Sequence, residues 1–114
     1  MISESEFIAA ADGTLERIGS ALDAALQNSD VDLDWSCKDG ILEVDCEGGG
    51  KVILNRHVPN RELWLAARSG GFHFKPVDGA WRDTRSGEGL EATLTRVLQE
   101  QCGLVVPLSQ LAAP

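Results

Sequence analysis

Apolar residues near the start of the chain recur with the spacing of one face of an α-helix. Ser3 and Glu6 have the spacing of a capping box, which satisfies free backbone amides at a helix start. The pattern predicts an amphipathic helix over residues 4–27. Its apolar stripe consists of Phe7, Ala11, Leu15, Ile18, Leu22 and Ala25. Asp12, Glu16 and Asp23 fall beside this stripe, so we expect them along one exposed edge of the helix.

From Asp30 the pattern changes to alternation, which is typical of a β-strand with one buried face. The residues expected on the core side are Val31, Leu33, Trp35 and Cys37. Those on the outer side are Asp30, Asp32, Asp34 and Ser36. The turn signal at 38–40 and the alternation of Leu42, Val44 and Cys46 then predict an antiparallel hairpin.

Further strand candidates follow between turn signals, at Lys51–Arg56, Glu62–Arg68, Phe72–Val77 and Ala80–Asp83. Leu90, Leu94 and Leu98 restore helical spacing, and Gly103 suits the position just past the end of that helix. The expected fold class is α+β, a two-layer sandwich with about six antiparallel strands between an N-terminal and a C-terminal helix. We expect one domain over 1–114, with the apolar tail 104–114 packed on the helix layer.

The negative charge of the chain is concentrated at its start. Seven of the eight net negative charges lie in the first thirty-four residues, where Arg17 is the only base. Crowded like charges cost stability, so this distribution suggests a surface that attracts cations or a basic partner. The same charge argues against nucleic acid as a partner, and no apolar run is long enough to cross a membrane.

The three cysteines form neither an even set nor a Cys-x-x-Cys pair. We therefore expect Cys37, Cys46 and Cys102 to be free thiols in a reducing cytoplasm. Cys37 and Cys46 lie on neighbouring predicted strands at unequal distances from the turn, so direct pairing between them is not expected.

Asp30, Asp32 and Asp34 would project about 6.5–7 Å apart along a strand, too far for one tight coordination shell. Such a row suits weak, multiple and exchangeable binding of hard cations such as iron, calcium or manganese. A solvated face that only keeps the protein soluble is the alternative explanation of the same pattern.

Trp64 interrupts the alternation of polar and apolar residues in its strand, since both of its neighbours are apolar. These neighbours, Leu63 and Leu65, can fill the core side. We expect the indole on the open face of the sheet, where an exposed aromatic residue is a favourable anchor for a partner. The opposite orientation, with Trp64 inward, is the alternative. His57 and His73 lack the spacing of a metal site, so packing or surface roles are favoured for both.

Several motifs together resemble bacterial frataxins of the CyaY type. They are Asn55-Arg56, Pro59, Trp64-Leu65-Ala66, Ser69-Gly70-Gly71-Phe72-His73-Phe74, Trp81 and Arg85-Ser86-Gly87-Glu88, with a matching opening at Ser5-Glu6-Phe7, Ala11-Asp12 and Asp30-Val31-Asp32. The resemblance implies an α-β-α sandwich whose first helix and first strand form an acidic ridge that binds iron weakly. It also implies docking on a cysteine desulfurase, tuning of its activity, contact with the iron–sulfur scaffold protein, and an iron-donor role.

The resemblance assigns roles by position. Asp12, Asp23, Asp30 and Asp32 match acidic-ridge positions of the family. With Glu16 from the helix edge and Asp34 from the strand row, the candidate iron ligands are Asp12, Glu16, Asp23, Asp30, Asp32 and Asp34. The candidate partner-binding residues are Asn55, Trp64, Asp23, Asp30 and Asp32. The chain departs from well-known bacterial members at ridge positions that are acidic there, namely Gly19, Ser20, Ala24, Leu26 and Asn28. Iron binding is therefore expected to be weaker or confined to the strand end.

These observations favour a monomeric, non-catalytic, iron-binding regulator of iron–sulfur cluster assembly. The sequence has no nucleophile–base pair or phosphate loop that would indicate an enzyme. Two alternatives remain open: an iron-oxidising storage oligomer, which requires two metals held close together, and an acidic adaptor that binds a basic protein without metal.

Overall fold

Six antiparallel strands lie side by side in chain order, and both helices pack on the same face of this sheet. The computed structural model describes residues 2–114. The elements are α1 (Glu4–Gln27), β1 (Leu33–Lys38), β2 (Ile41–Cys46), β3 (Gly50–His57), β4 (Glu62–Ala67), β5 (Gly70–Val77), β6 (Ala80–Asp83) and α2 (Leu90–Cys102). The predicted two-layer α+β sandwich is confirmed, with β1 and β6 as the edge strands. Neither helix of the described chain is long and apolar enough to cross a membrane.

The core lies between the helices and the inner face of the sheet. The residues of the predicted α1 stripe from Phe7 to Leu22 are at most 1% exposed. Burial of each such large apolar side chain contributes about 1.5–3 kcal/mol. Trp81 of β6 is also fully buried, 6.0 Å from the Phe7 ring in an edge-to-face arrangement. Its Nε1 donates to Thr14 Oγ1 at 3.0 Å, so the polar atom of the indole is satisfied inside the core.

The capping box predicted at the start of α1 is present. Ser3 Oγ accepts from the Glu6 backbone amide at 3.1 Å, while Glu6 Oε1 lies 3.5 Å from the Ser3 amide nitrogen. The helix then packs closely on β1 through Gly19, which contacts the indole of Trp35. A side chain at this position would collide with the ring, so Gly19 permits the close approach of helix and strand.

The first strand begins later than predicted. The expected start was Asp30, but β1 begins at Leu33, which pairs with Cys46 at the end of β2. The ladder stops there because β2 turns at once into β3, and the last backbone bond, from Glu47 N to Asp32 O, is 3.4 Å long. Asp30 and Asp32 therefore lie in the connection before the strand.

The β1–β2 turn is the short hairpin turn that the sequence predicts. Asp39 and Gly40 both have positive φ, at 54° and 76°, as a two-residue turn of this type requires. The absence of a side chain at Gly40 also lets the Arg56 side chain lie across the turn, since a Cβ there would be 2.5 Å from Arg56 Nε. The Arg56 side chain of β3 can therefore cross the turn and reach α1.

The C-terminal end of α2 is fixed to the sheet by several contacts. Gly103 adopts the left-handed conformation expected just past the helix end, with φ 68°. The Gln101 side chain donates to the carbonyl oxygens of Gly49 and Lys51, each at 2.9 Å. These bonds bring the end of α2 onto the β2–β3 turn.

Cys46 and Cys102 form a disulfide in the structure, so the prediction of three free thiols is wrong for these two. Their Cα atoms are 4.9 Å apart although the residues are 56 positions apart in sequence. Only the packing of α2 on the end of β2 brings them together, and the cysteine spacing does not reveal it. Cys37 is free and exposed.

Residues 104–114 run along the helix layer and end beside β6. The buried side chains of this tail are Leu104, Val106 and Leu111. Thr95 Oγ1 of α2 donates to the Val106 carbonyl at 3.3 Å, and Ala112 forms a β-bridge with Ala80. These contacts join the tail to α2 and to the outer edge of β6.

Replacement of Gly19 by alanine should destabilise the protein even though alanine favours helix. The new methyl would lie 2.5 Å from Trp35 Cη2, and we expect a loss of about 1–3 kcal/mol from such overpacking. Gly13→Ala in the same helix is the matched control, because its methyl meets nothing within 4 Å; it should stabilise by about 0.5–1 kcal/mol. Urea unfolding measures both, and equal effects would contradict the Gly19–Trp35 contact.

Reduction of the disulfide should lower the free energy of unfolding by about 2–4 kcal/mol, because the unfolded chain loses a long closed loop. The measurement is urea unfolding with and without a reductant. Cys102→Ser should be insensitive to the reductant, whereas Cys37→Ser should respond as the wild type does. Identical unfolding midpoints of the oxidised and reduced wild type would rule out a stabilising bond.

Candidate functional site

Six carboxylates, which we call the acidic edge, were predicted as one group on α1 and the start of β1: Asp12, Glu16, Asp23, Asp30, Asp32 and Asp34. On α1, Asp12 is ion-paired with Arg56. Asp23 Oδ1 accepts a hydrogen bond of 2.7 Å from Trp35 Nε1. Two of the three helix carboxylates therefore already have a partner inside the protein, and only Glu16 is left without one among the described residues.

The carboxylates around the start of β1 have fewer partners inside the protein than those on α1. Asp30, Asp32 and Asp34 are all exposed, and none has an ion-pair partner within residues 2–114. Asp34 lies directly opposite Asp45 of β2, and Glu47 follows on the same hairpin. Lys51 of β3 lies opposite Asp45 on the other side, but its Nζ is ion-paired with Glu43 Oε2 at 3.1 Å. Like charges facing each other across a ladder repel. Uncompensated negative charge is therefore greatest at this corner of the sheet.

Asp45 and Glu47 were not among the predicted site residues. The signal that could have found them is the hairpin itself, because antiparallel pairing folds the end of β2 back onto the start of β1. The acidic edge is thus extended by residues that follow it in sequence by more than ten positions.

The acidic residues do not form a closed metal shell. Among the residues that the structure describes, no three His, Cys, Asp or Glu side chains are grouped so that they could hold one ion. Carboxylates spread along an edge supply one or two oxygens to a hard cation, and water completes its coordination. Such an arrangement suits a loosely held, exchangeable ion.

Cys37 reports on the electrostatics of the acidic edge. The residue is exposed, but the protein around its thiol removes part of the surrounding water, and this desolvation raises the thiol pKa above the ordinary value. The nearby carboxylates of Asp12 and Glu16 raise the pKa further. The Arg56 guanidinium acts in the opposite direction. The thiolate is therefore disfavoured, which argues against Cys37 as a nucleophile or a metal ligand at neutral pH.

Trp64 stands on the open face of the sheet, as predicted, between two histidines. The His57 ring is stacked on one side of the indole, with 3.6 Å between ring centroids and 8° between planes. The His73 ring is stacked on the other side at 4.3 Å, again within 8°. Both faces of the indole are thus covered, and only its edge is offered to a partner.

Hydrogen bonds further fix the stack. Trp64 Nε1 donates to Glu62 Oε1 at 2.9 Å, and His73 Nδ1 is 3.8 Å from the same oxygen. Asn55, the other predicted partner-binding residue, is the direct cross-strand neighbour of Trp64. The structure therefore brings Asn55 and Trp64 together. The two histidines lie on opposite faces of the indole, so they cannot chelate one ion together.

The sequence matches the family described as a frataxin-like domain over residues 1–104. The chain belongs to the frataxin family. A relative of this frataxin from Cupriavidus pinatubonensis (strain JMP 134 / LMG 1197), called iron-sulfur cluster assembly protein CyaY, is 43% identical over 107 residues. The match covers 94% of this chain and 96% of the relative.

Solved frataxins share the fold of this chain. Frataxin from Psychromonas ingrahamii superposes with a TM-score of 0.77 at 28% identity, covering 95% of this chain and 99% of that one. A trimeric frataxin from Saccharomyces cerevisiae, complexed with ferrous iron, superposes with a TM-score of 0.72 at 24% identity over 82% of this chain and 86% of that one. The latter likeness concerns the fold.

Neutralising Glu16 should make the Cys37 thiol of this frataxin more reactive. Loss of the neighbouring negative charge lowers the thiol pKa and raises the thiolate fraction. The measurement is the rate of iodoacetamide modification against pH, read by mass spectrometry on the disulfide-bonded protein. For Glu16→Gln the profile should move to lower pH, whereas Glu100→Gln on α2 is the control and should leave it in place. An unmoved Glu16→Gln profile would show that the carboxylate does not act on Cys37.

Proposed function

We propose that this frataxin is a non-catalytic accessory of iron–sulfur cluster assembly that docks on a cysteine desulfurase and tunes its activity. The observation that carries the proposal is the unpaired negative charge at Asp30, Asp32 and Asp34 in a member of this family. Its relatives are named as bacterial iron–sulfur cluster assembly proteins, which supports a role in that process and action in a bacterial cytoplasm.

The acidic edge is the proposed contact for the desulfurase. Exposed carboxylates without internal partners attract a basic surface over several ångströms and accelerate its approach. Asp30, Asp32 and Asp34 offer this charge at the corner of the sheet, and Asp45 and Glu47 add to it. A basic groove on the desulfurase is the complementary surface.

Iron is proposed to be held weakly at the same corner, as cargo. Asp12 is paired with Arg56 and Asp23 with Trp35, so the helix supplies fewer free oxygens than the sequence suggests. The exposed carboxylates of Asp30, Asp32 and Asp34 fit a hydrated ferrous or ferric ion, since hard cations prefer oxygen ligands. Delivery of this iron to the assembly machinery is part of the proposal.

The Trp64 surface is the proposed contact for the iron–sulfur scaffold protein. An aromatic residue held rigidly on an open sheet face loses little conformational entropy on binding. The stack of His57, Trp64 and His73 provides that rigidity, and Asn55 offers an amide beside the indole. The chain would act as a monomer that touches both partners.

Charge reversal at the acidic edge tests the desulfurase contact. Asp32→Lys should weaken binding to the desulfurase about fivefold at low salt and less at high salt, because exposed ion pairs are screened. Glu100→Lys on α2 makes the same charge change away from the edge and should bind as the wild type does. Isothermal titration measures both affinities, and desulfurase turnover with and without ferrous iron measures the functional effect. Equal loss in the two variants, or no effect of the wild type on turnover, would defeat the proposal.

Iron binding is tested by backbone amide spectra during titration with ferrous iron under nitrogen. Signals of residues 30–34 and 45–47 should shift or broaden first, and the combined replacement of Asp30, Asp32 and Asp34 by Asn should abolish the response. No response would favour the metal-independent adaptor. Oxidation of iron faster than the buffer, together with assembly into larger species, would favour the storage oligomer.

A further inference from the structure

Two cations face each other at the β6 edge of the sheet, on the opposite side from β1 and the acidic edge. Lys75 of β5 and Arg82 of β6 are direct cross-strand neighbours, and both are exposed on the open face. Like charges in this position destabilise a sheet. Arg85 lies two residues after the end of β6. We call Lys75, Arg82 and Arg85 the cationic strip.

The structure does not compensate this positive charge. Within residues 2–114, no carboxylate oxygen lies within 4.0 Å of a charged nitrogen of Lys75, Arg82 or Arg85. Arg82 Nη1 makes one long contact, 3.5 Å from the Gly87 carbonyl oxygen. The positive charge of the strip is therefore not neutralised by a carboxylate of the described residues.

Two nearby acids, Asp83 at the end of β6 and Glu88 on the loop that follows, are already hydrogen-bonded to other groups. Asp83 Oδ1 accepts from the backbone amides of Arg85 and Ser86, at 2.7 and 3.2 Å. Glu88 accepts from Thr93 Oγ1 and binds Arg96 Nη1 through both oxygens at 3.0 Å. These hydrogen bonds lower the pKa of Glu88, which keeps its carboxylate charged and occupied.

Glu62 of β4, which lies on the open face beside β5, is also engaged. Its Oε1 accepts from Trp64 Nε1 and lies near His73, and its side chain is only 17% exposed. It contributes to the stack rather than to the cations. An acidic group from outside the protein could therefore reach Lys75 and Arg82 without displacing an internal partner.

A cleft of about 600 Å³ adjoins the strip. Arg85, which belongs to the strip, is the cation of its wall without a carboxylate partner among the described residues, and Gly71 and Phe72 supply apolar surface. Arg96 also lines the cleft but is paired with Glu88, and the two hydrogen-bonded acids, Asp83 and Glu88, form part of the same wall. A cleft with one unpaired cation beside the strip and an apolar part fits a peptide that alternates acidic and aliphatic side chains. A bare phosphate chain would leave the apolar part unused.

We propose that the cationic strip and its adjoining cleft bind an acidic peptide segment of a protein partner. The strip lies on β5 and β6, whereas the carboxylates of Asp34 and Asp45 lie on β1 and β2. Opposite charges therefore occupy opposite edges of a sheet about 24 Å wide. An acidic segment is attracted to one edge and repelled by the other, which fixes its position on the open face. The Trp64 stack lies between the two edges and is available to either partner.

The test uses the full chain and a capped peptide of alternating glutamate and leucine, and requires neither iron nor desulfurase. Backbone amide shifts should be confined to residues 71–75 and 82–88. The double variant Lys75→Gln/Arg82→Gln should bind the peptide about fivefold more weakly, the loss expected for two exposed ion pairs. The same variant should unfold at the same or a higher temperature, because it loses a repulsive pair.

Lys38→Gln/Lys51→Gln is the matched control, since it removes two cations elsewhere and leaves the strip intact. Its affinity should change by less than about twofold. Equal loss in the two double variants would show that only net charge matters, and it would overturn the proposal. Inorganic phosphate or duplex DNA that displaces the peptide from the strip at similar concentration would also overturn it, in favour of a general anion site.

Discussion

The burial of the apolar stripe of α1 against the inner face of the sheet is the interaction on which the rest of the structure depends. The stripe from Phe7 to Leu22 can face only one way, so the carboxylates beside it must lie along the border between α1 and the first strands. Gly19 brings that border close by allowing contact with Trp35. The same packing places both helices on one side and leaves the other face of the sheet open, which is where Trp64 stands.

Charge is sorted across this open face in a way that costs stability. Asp34 faces Asp45 at one end of the sheet, and Lys75 faces Arg82 at the other. Neither of these is an ion pair, and the cation opposite Asp45 on β3, Lys51, is already paired with Glu43. Between the two ends, His57 and His73 hold the indole of Trp64 so that its edge points outward. A face with opposite charges at its ends and a rigid aromatic residue between them is suited to binding partners.

Local patterns determine much of this fold, and long-range contacts determine the rest. The bounds of α1, the Ser3–Glu6 capping box and the outward position of Trp64 follow from spacing of neighbours in sequence, so each could be predicted. The disulfide between Cys46 and Cys102 could not, because it joins residues 56 positions apart that only the packing of α2 brings together. For the same reason the sequence gives no sign that Arg56 reaches Asp12 across Gly40, or that two histidines enclose the indole. The acidic edge is therefore located by the sequence, but which of its carboxylates are free is decided by tertiary structure.

The central claim is that the charge at Asp30, Asp32 and Asp34 is held for an external partner at a cost to the folded protein. The most direct test is the free energy of unfolding of the variant with Asn at all three positions, compared with wild type across salt concentrations. The account predicts that the variant is more stable at low salt and that the difference disappears at high salt, because screening removes the repulsion. A variant that is less stable at every salt concentration would show that these carboxylates stabilise the fold itself, and it would contradict the account.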